Sequence, residues 1–61
     1  MYCELIKAVG RTIYIRWSRV YTEAMIPHWR DYATPRLRRV ATMAKRKYKN
    51  LVIVHRDPRD R

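Results

Sequence analysis

The stretch from Thr34 to Asn50, TPRLRRVATMAKRKYKN, limits the fold of this chain more than any other, because its start, its periodicity and its stop describe one amphipathic helix. At about 100° per residue, Leu37, Val40, Ala41, Ala44 and Tyr48 fall within an arc of about 100°. Arg38, Arg39, Lys45, Arg46 and Lys49 spread over the opposite side, and Arg36, Met43 and Lys47 mark one border. The Thr34 hydroxyl suits an N-cap, where it accepts an orphan backbone N–H. Pro35 fits the first helical position, since its missing N–H would be unbonded there. Asn50 can enter the left-handed region and stop the helix. A helix over residues 35–49 is expected.

The stretch also holds seven of the fifteen Lys and Arg residues. Lys45, Arg46, Lys47 and Lys49 stand where cations suit the negative end of the helix dipole. Arg36, Arg38 and Arg39 stand at the other end, where a bound anion would favour both the side chains and the free N–H groups. A solvated face that only keeps the protein soluble is the plain alternative, but mixed signs serve solubility as well. Across the chain, fifteen basic and five acidic residues give a formal charge of +10. No acid falls between Tyr32 and Arg56. Such asymmetry points to nucleic acid, an acidic protein surface or an anionic membrane. The apolar arc, with two Ala and one Tyr, is too weak for firm membrane insertion.

Sixty-one residues make one domain with a thin core, since a chain of this size buries only about 60% of the surface it exposes when unfolded. The expected division is a single basic domain over residues 1–57 and a charged tail over 58–61. Residues 2–9 and 12–18 alternate as strands, and Gly10-Arg11 suits a two-residue type II′ turn. That turn would pair Ile6 with Ile15 and Glu4 with Trp17. Ile6, Ala8, Ile13, Ile15 and Trp17 would then form the core face, with Leu5, Lys7, Tyr14, Arg16 and Ser18 outward. Residues 19–33 have helical spacing interrupted by Pro27, and a short helix or irregular turn is expected. Leu51 to Val54 is a run of four branched apolar residues, which suggests a strand over 51–56 buried on both faces. The expected fold is α+β: a three-stranded sheet of the N-terminal hairpin and the C-terminal strand, covered by the basic helix. Its core would draw on Ile6, Ile13, Ile15, Trp17, Leu37, Val40, Ala44, Val52 and Val54. The alternative is an all-helical pair over residues 17–32 and 35–49.

Little in the chain suggests catalysis. Cys3, His28 and His55 lack metal-ligand spacing, so neither a metal nor a cofactor is expected. His55 as a general base, with Arg16 and Arg56 on a phosphate, would suit a small RNA-cleaving toxin. No nucleophile motif or glycine-rich phosphate loop is present, and no enzyme or small-molecule substrate is expected. A lone Cys3 needs no oxidising compartment, and the longest apolar run is too short for a signal peptide or membrane span, so a reducing cytoplasm is expected.

The leading expectation is a non-enzymatic nucleic-acid-binding module, RNA or DNA. Its contact residues are Arg36, Arg38, Arg39, Lys45, Arg46, Lys47 and Lys49 on the helix, with Arg16 and Tyr14 on the hairpin. The alternative is a small protein-interaction module that binds an acidic or nucleic-acid-handling protein through Trp29 and Arg30. A regulator or inhibitor of phage or viral origin, or a ribosome-associated subunit, fits that description.

Overall fold

The computed structural model of the protein describes residues 1–59. Along the chain it has strand β1 (Cys3–Val9), strand β2 (Thr12–Trp17), a 3₁₀ helix (Glu23–Tyr32), helix α1 (Pro35–Lys47) and strand β3 (Val52–Arg56). The architecture is α+β, and the all-helical pair is ruled out by the sheet. The strand order is β1-β2-β3. β1 and β2 form an antiparallel hairpin, and β3 runs parallel to β2. A parallel neighbour needs a long crossover, which the 3₁₀ helix and α1 provide. Beyond β3, the Arg59 N–H donates to Asp57 Oδ1 at 2.9 Å. Asp60 and Arg61, the rest of the expected tail, lie outside the described residues.

The hairpin turns as its residues dictate. Gly10 has φ +57°, and no other described residue has a positive φ. A type I′ turn would need a positive φ at Arg11 too, so the pair fits type II′. Val9 pairs with Thr12 and Ala8 with Ile13, but a bulge between Leu5 and Lys7 then shifts the register, pairing Leu5 with Ile15 and Cys3 with Trp17. The expected Ile6–Ile15 and Glu4–Trp17 pairs therefore do not form. One extra residue moves every side chain beyond it to the other face. Ile6 turns outward, 45% exposed, and Cys3 and Leu5 turn inward in its place. Ala8 is also exposed.

β3 is not buried on both faces. Ile53 and His55 share the inner face with Ile13 and Ile15, as the pairing requires. Val52 points outward, 42% exposed, and Val54 lies beside Tyr14 on the same outer side. The core is thus one layer between sheet and helices. It comprises Cys3, Ile13, Ile15, Trp17, Trp29, Ala33, Leu37 and Ala41. Neither Val52 nor Val54 nor Ile6 belongs to it.

α1 begins at Pro35 with Thr34 as its N-cap, the hydroxyl accepting from the Leu37 N–H at 3.4 Å. Its buried residues are Leu37 and Ala41, and Ala44 packs at the margin of the core. Val40 and Tyr48, from the same arc, are only half-buried. The helix ends at Lys47 with Tyr48 extended as its C-cap, earlier than Asn50. The stop needs no left-handed residue because the chain leaves directly toward β3. Residues 23–32 form a 3₁₀ helix with Pro27 inside it and a kink at His28, in line with the expected short helix. Trp29 is its buried residue.

Cys3 ties the layers together. Its thiol donates to the Trp29 carbonyl at 3.3 Å, and its own carbonyl accepts from the Thr34 N–H at 3.0 Å. Burial pushes the thiol up to about 11, so it stays protonated and serves as a donor.

The altered faces give a direct stability contrast. Leu37→Ala removes a fully buried side chain and should cost about 2–5 kcal/mol. Val52→Ala on the exposed face should cost under about 1 kcal/mol. Urea unfolding of both variants measures this, and comparable losses would mean the sheet faces are inverted.

Candidate functional site

The basic residues of α1 do not act as one face. The end of the 3₁₀ helix, Trp29 to Asp31, and one flank of α1 border a groove of three adjoining hollows. The first, about 290 Å³, lies between Trp29, Arg30 and Asp31 on one side and Arg38, Ala41 and Thr42 on the other. The second, about 220 Å³, is lined by Arg30, Thr42, Lys45 and Arg46. The third, about 250 Å³, lies past the end of α1 among Trp29, Lys45, Lys49, Asn50, Leu51 and Ile53. Arg30 also lines the third hollow, so its side chain borders all three.

Helical spacing explains the placement. Arg38, Thr42 and Lys45 follow one another at steps of four and three residues, which keeps them on one flank of α1. Arg46 stands beside them, and Lys49 continues the line just beyond the helix end. Thr42 closes its hydroxyl onto the Arg38 carbonyl at 2.8 Å. The Arg38 guanidinium reaches the Asp31 carbonyl oxygen at 3.5 Å, bridging the two helices at one end. Five cations (Arg30, Arg38, Lys45, Arg46 and Lys49) thus border a concave surface with one carboxylate, Asp31, in the first hollow. Like charges lining a cleft focus its field outward and attract anions.

Other expected contact residues lie elsewhere. Arg36, Arg39 and Lys47 are exposed on α1 but do not line these hollows. Tyr14 and Arg16 lie on the opposite face of the sheet. There the Lys7 ammonium stands 4.9 Å from the Tyr14 ring centroid. Arg16 pairs with Glu4 at 2.6 Å, so its charge is already matched locally. Trp29 does not project as a partner anchor. It is 9% exposed and forms the floor of the groove, with the Arg30 guanidinium 5.4 Å from its ring centroid. Asn50, Leu51 and Ile53 were not anticipated as site residues. They line the third hollow because α1 stops at Lys47 and the chain passes through them into β3.

His55 belongs to a different cluster. Its ring lies nearly parallel to Trp17 at a centroid distance of 5.8 Å and 5.6 Å from Tyr21. The Trp17 Nε1–H donates to His55 Nδ1 at 2.9 Å, so the ring proton sits on Nε2. Arg16 and Arg56 are paired neighbours on the outer face, whereas His55, beside Ile15, faces inward. The residues of the toxin reading are therefore on opposite sides of the sheet. Among the described residues, no group of three or more His, Cys, Asp or Glu could hold a metal ion, and no helix is long and apolar enough to cross a membrane.

Compared with protein families, curated proteins and solved structures, the chain matches no family model, no curated protein and no solved structure.

Burial lowers the His55 pKa below its ordinary 6.5. The unfolded chain therefore binds this proton more readily than the folded one, and stability falls as pH drops. The stabilising difference is fully present above 6.5. It is lost as pH falls through 6.5 toward the depressed folded value. Thermal melts from pH 8 to 5 should show this decline, and His55→Gln should flatten the part of it between 6.5 and the folded value. An equal decline in the variant would place the effect elsewhere.

Proposed function

We propose that the protein is a non-enzymatic nucleic-acid-binding module whose phosphate contacts run along the groove between the 3₁₀ helix and α1. The observation that carries this reading is the convergence of Arg30, Arg38, Lys45, Arg46 and Lys49 on one concave surface. A backbone of regularly repeated negative charge meets such a line of cations by releasing its condensed counterions. The formal charge of +10 supports it by steering any polyanion to the protein at low salt. The buried, protonated Cys3 suits a reducing compartment such as the cytoplasm.

A second reading, a protein-interaction module, draws on the other side of the sheet. Ile6, Val9 and Val52 are exposed there, with Lys7, Arg16 and Arg56 around them. An acidic partner with an apolar centre would fit that face. If Val9→Asp combined with Val52→Asp removes a partner that survives nuclease treatment, the second reading gains over the first.

The groove reading makes a quantitative prediction. Five phosphate contacts on a single strand give a slope of log K against log salt of about −3.5. Arg38→Ala with Lys45→Ala should bring the slope to about −2. Arg36→Ala with Lys47→Ala, on α1 but outside the groove, should leave it near −3.5. Anisotropy of a labelled oligonucleotide over a salt series measures this, with circular dichroism confirming that each variant is folded. A flat salt response in the wild type, or equal losses in both double variants, would overturn the groove assignment.

A further inference from the structure

We infer that the third hollow, past the C-terminal end of α1, is a pocket for one unpaired nucleobase. The inference rests on the nucleic-acid reading above and specifies what that groove prefers. The hollow differs from the other two in bringing Leu51 and Ile53 beside Trp29. Its polar lining is Arg30, Lys45, Lys49 and Asn50. This is the division a nucleotide requires, a ring placed on apolar and aromatic surface with its phosphate held by cations. Asp31, the acid of the groove, lies in the first hollow and not in this one.

Size and chemistry narrow the ligand. At about 250 Å³ the hollow is smaller than pockets for drug-sized ligands, which run roughly 300–1,000 Å³. One heterocycle fits that space better than an extended ligand. Arg30, Lys45 and Lys49 can only donate hydrogen bonds, whereas the Asn50 carboxamide both donates and accepts. A base edge presents donors and acceptors together, so Asn50 can meet both kinds of group, whereas Arg30 and the lysines can meet acceptors alone. A base inside a duplex is stacked and paired and cannot enter a hollow. The pocket therefore selects single strands or bases turned out of a helix, in RNA or DNA. Lys45 and Lys49 both line the hollow, so they can hold phosphates next to the inserted base.

The test uses the full chain with four probes of about 12 nucleotides, within the site sizes of single-strand binders. They are single-stranded DNA, single-stranded RNA, an abasic strand with the same phosphates, and a duplex. Anisotropy gives affinity, and tryptophan fluorescence reports on Trp29, with buried Trp17 as constant background. The expected result is about 5- to 150-fold tighter binding of the base-bearing single strands than of the abasic strand. Fluorescence should be quenched by those strands and unchanged by the abasic strand and the duplex. Asn50→Ala should reduce differences among homopolymers of different bases. Equal, salt-dependent affinity for abasic and base-bearing strands without quenching would overturn the pocket and leave the phosphate groove standing. No binding to any probe would overturn both.

Discussion

The structure depends most on the hydrogen bond from the Trp17 Nε1–H to His55 Nδ1. Trp17 is the last residue of β2 and 1% exposed, so its polar ring atom is removed from water and needs a partner. His55 supplies one from the neighbouring strand, and the two rings lie nearly coplanar, edge to edge. Tyr21 and Tyr32 approach Trp17 at 5.4 and 5.5 Å, bringing in the start of the crossover and the end of the 3₁₀ helix. The Tyr21 hydroxyl then donates to the His55 carbonyl at 3.4 Å. The start of the crossover and two segments distant in sequence are thus oriented by one indole. In a single-layer core there is little else to do it, since each strand presents one face inward.

Much of this architecture was legible in the sequence, and the failures share one cause. Thr34, Pro35 and the spacing of Leu37, Ala41 and Ala44 specify α1 because capping and helical period are local properties. Gly10 specifies the turn for the same reason. The bulge at Ile6 is not local, since it depends on which of Leu5 and Ile6 packs better against helices that come later in the chain. Leu51 to Val54 was misread because a continuous apolar run does not say how many of its faces are covered. Here one side of the sheet has helices over it, and Val52 is left on the other. The basic site was legible in composition and not in geometry. Arg38, Lys45, Arg46 and Lys49 could be named from the helix alone. Their junction with Arg30 depends on a 3₁₀ helix whose Pro27 and kinked His28 obscure any period.

The two sides of the sheet carry their charge differently. On the outer side, Arg16 has Glu4 beside it, and Lys7 stands over an aromatic ring. An exposed pair of this kind contributes about 0–1 kcal/mol to stability, but it also cancels part of the local field. On the helical side, the cations of the groove have Asp31 as their one lining acid, at one end. The protein is therefore electrically polarised, and the excess of positive charge lies on the helical side.

The parallel placement of β3 also sets the order in which the molecule assembles. β1 and β2 close across a two-residue turn, whereas β3 reaches β2 only after the 34 residues 18–51 have been gathered. The added loop-closure entropy is roughly 2–3 kcal/mol, and it is repaid only once α1 and the 3₁₀ helix are seated. This entropy term favours docking of β3 after the hairpin has closed, and its opening in the reverse order. Such an opening leaves the Trp17 indole without its acceptor and parts Leu51 and Ile53 from Trp29. Loss of the aromatic cluster and loss of the third hollow are then one event on the unfolding path, although they lie at different places in the fold.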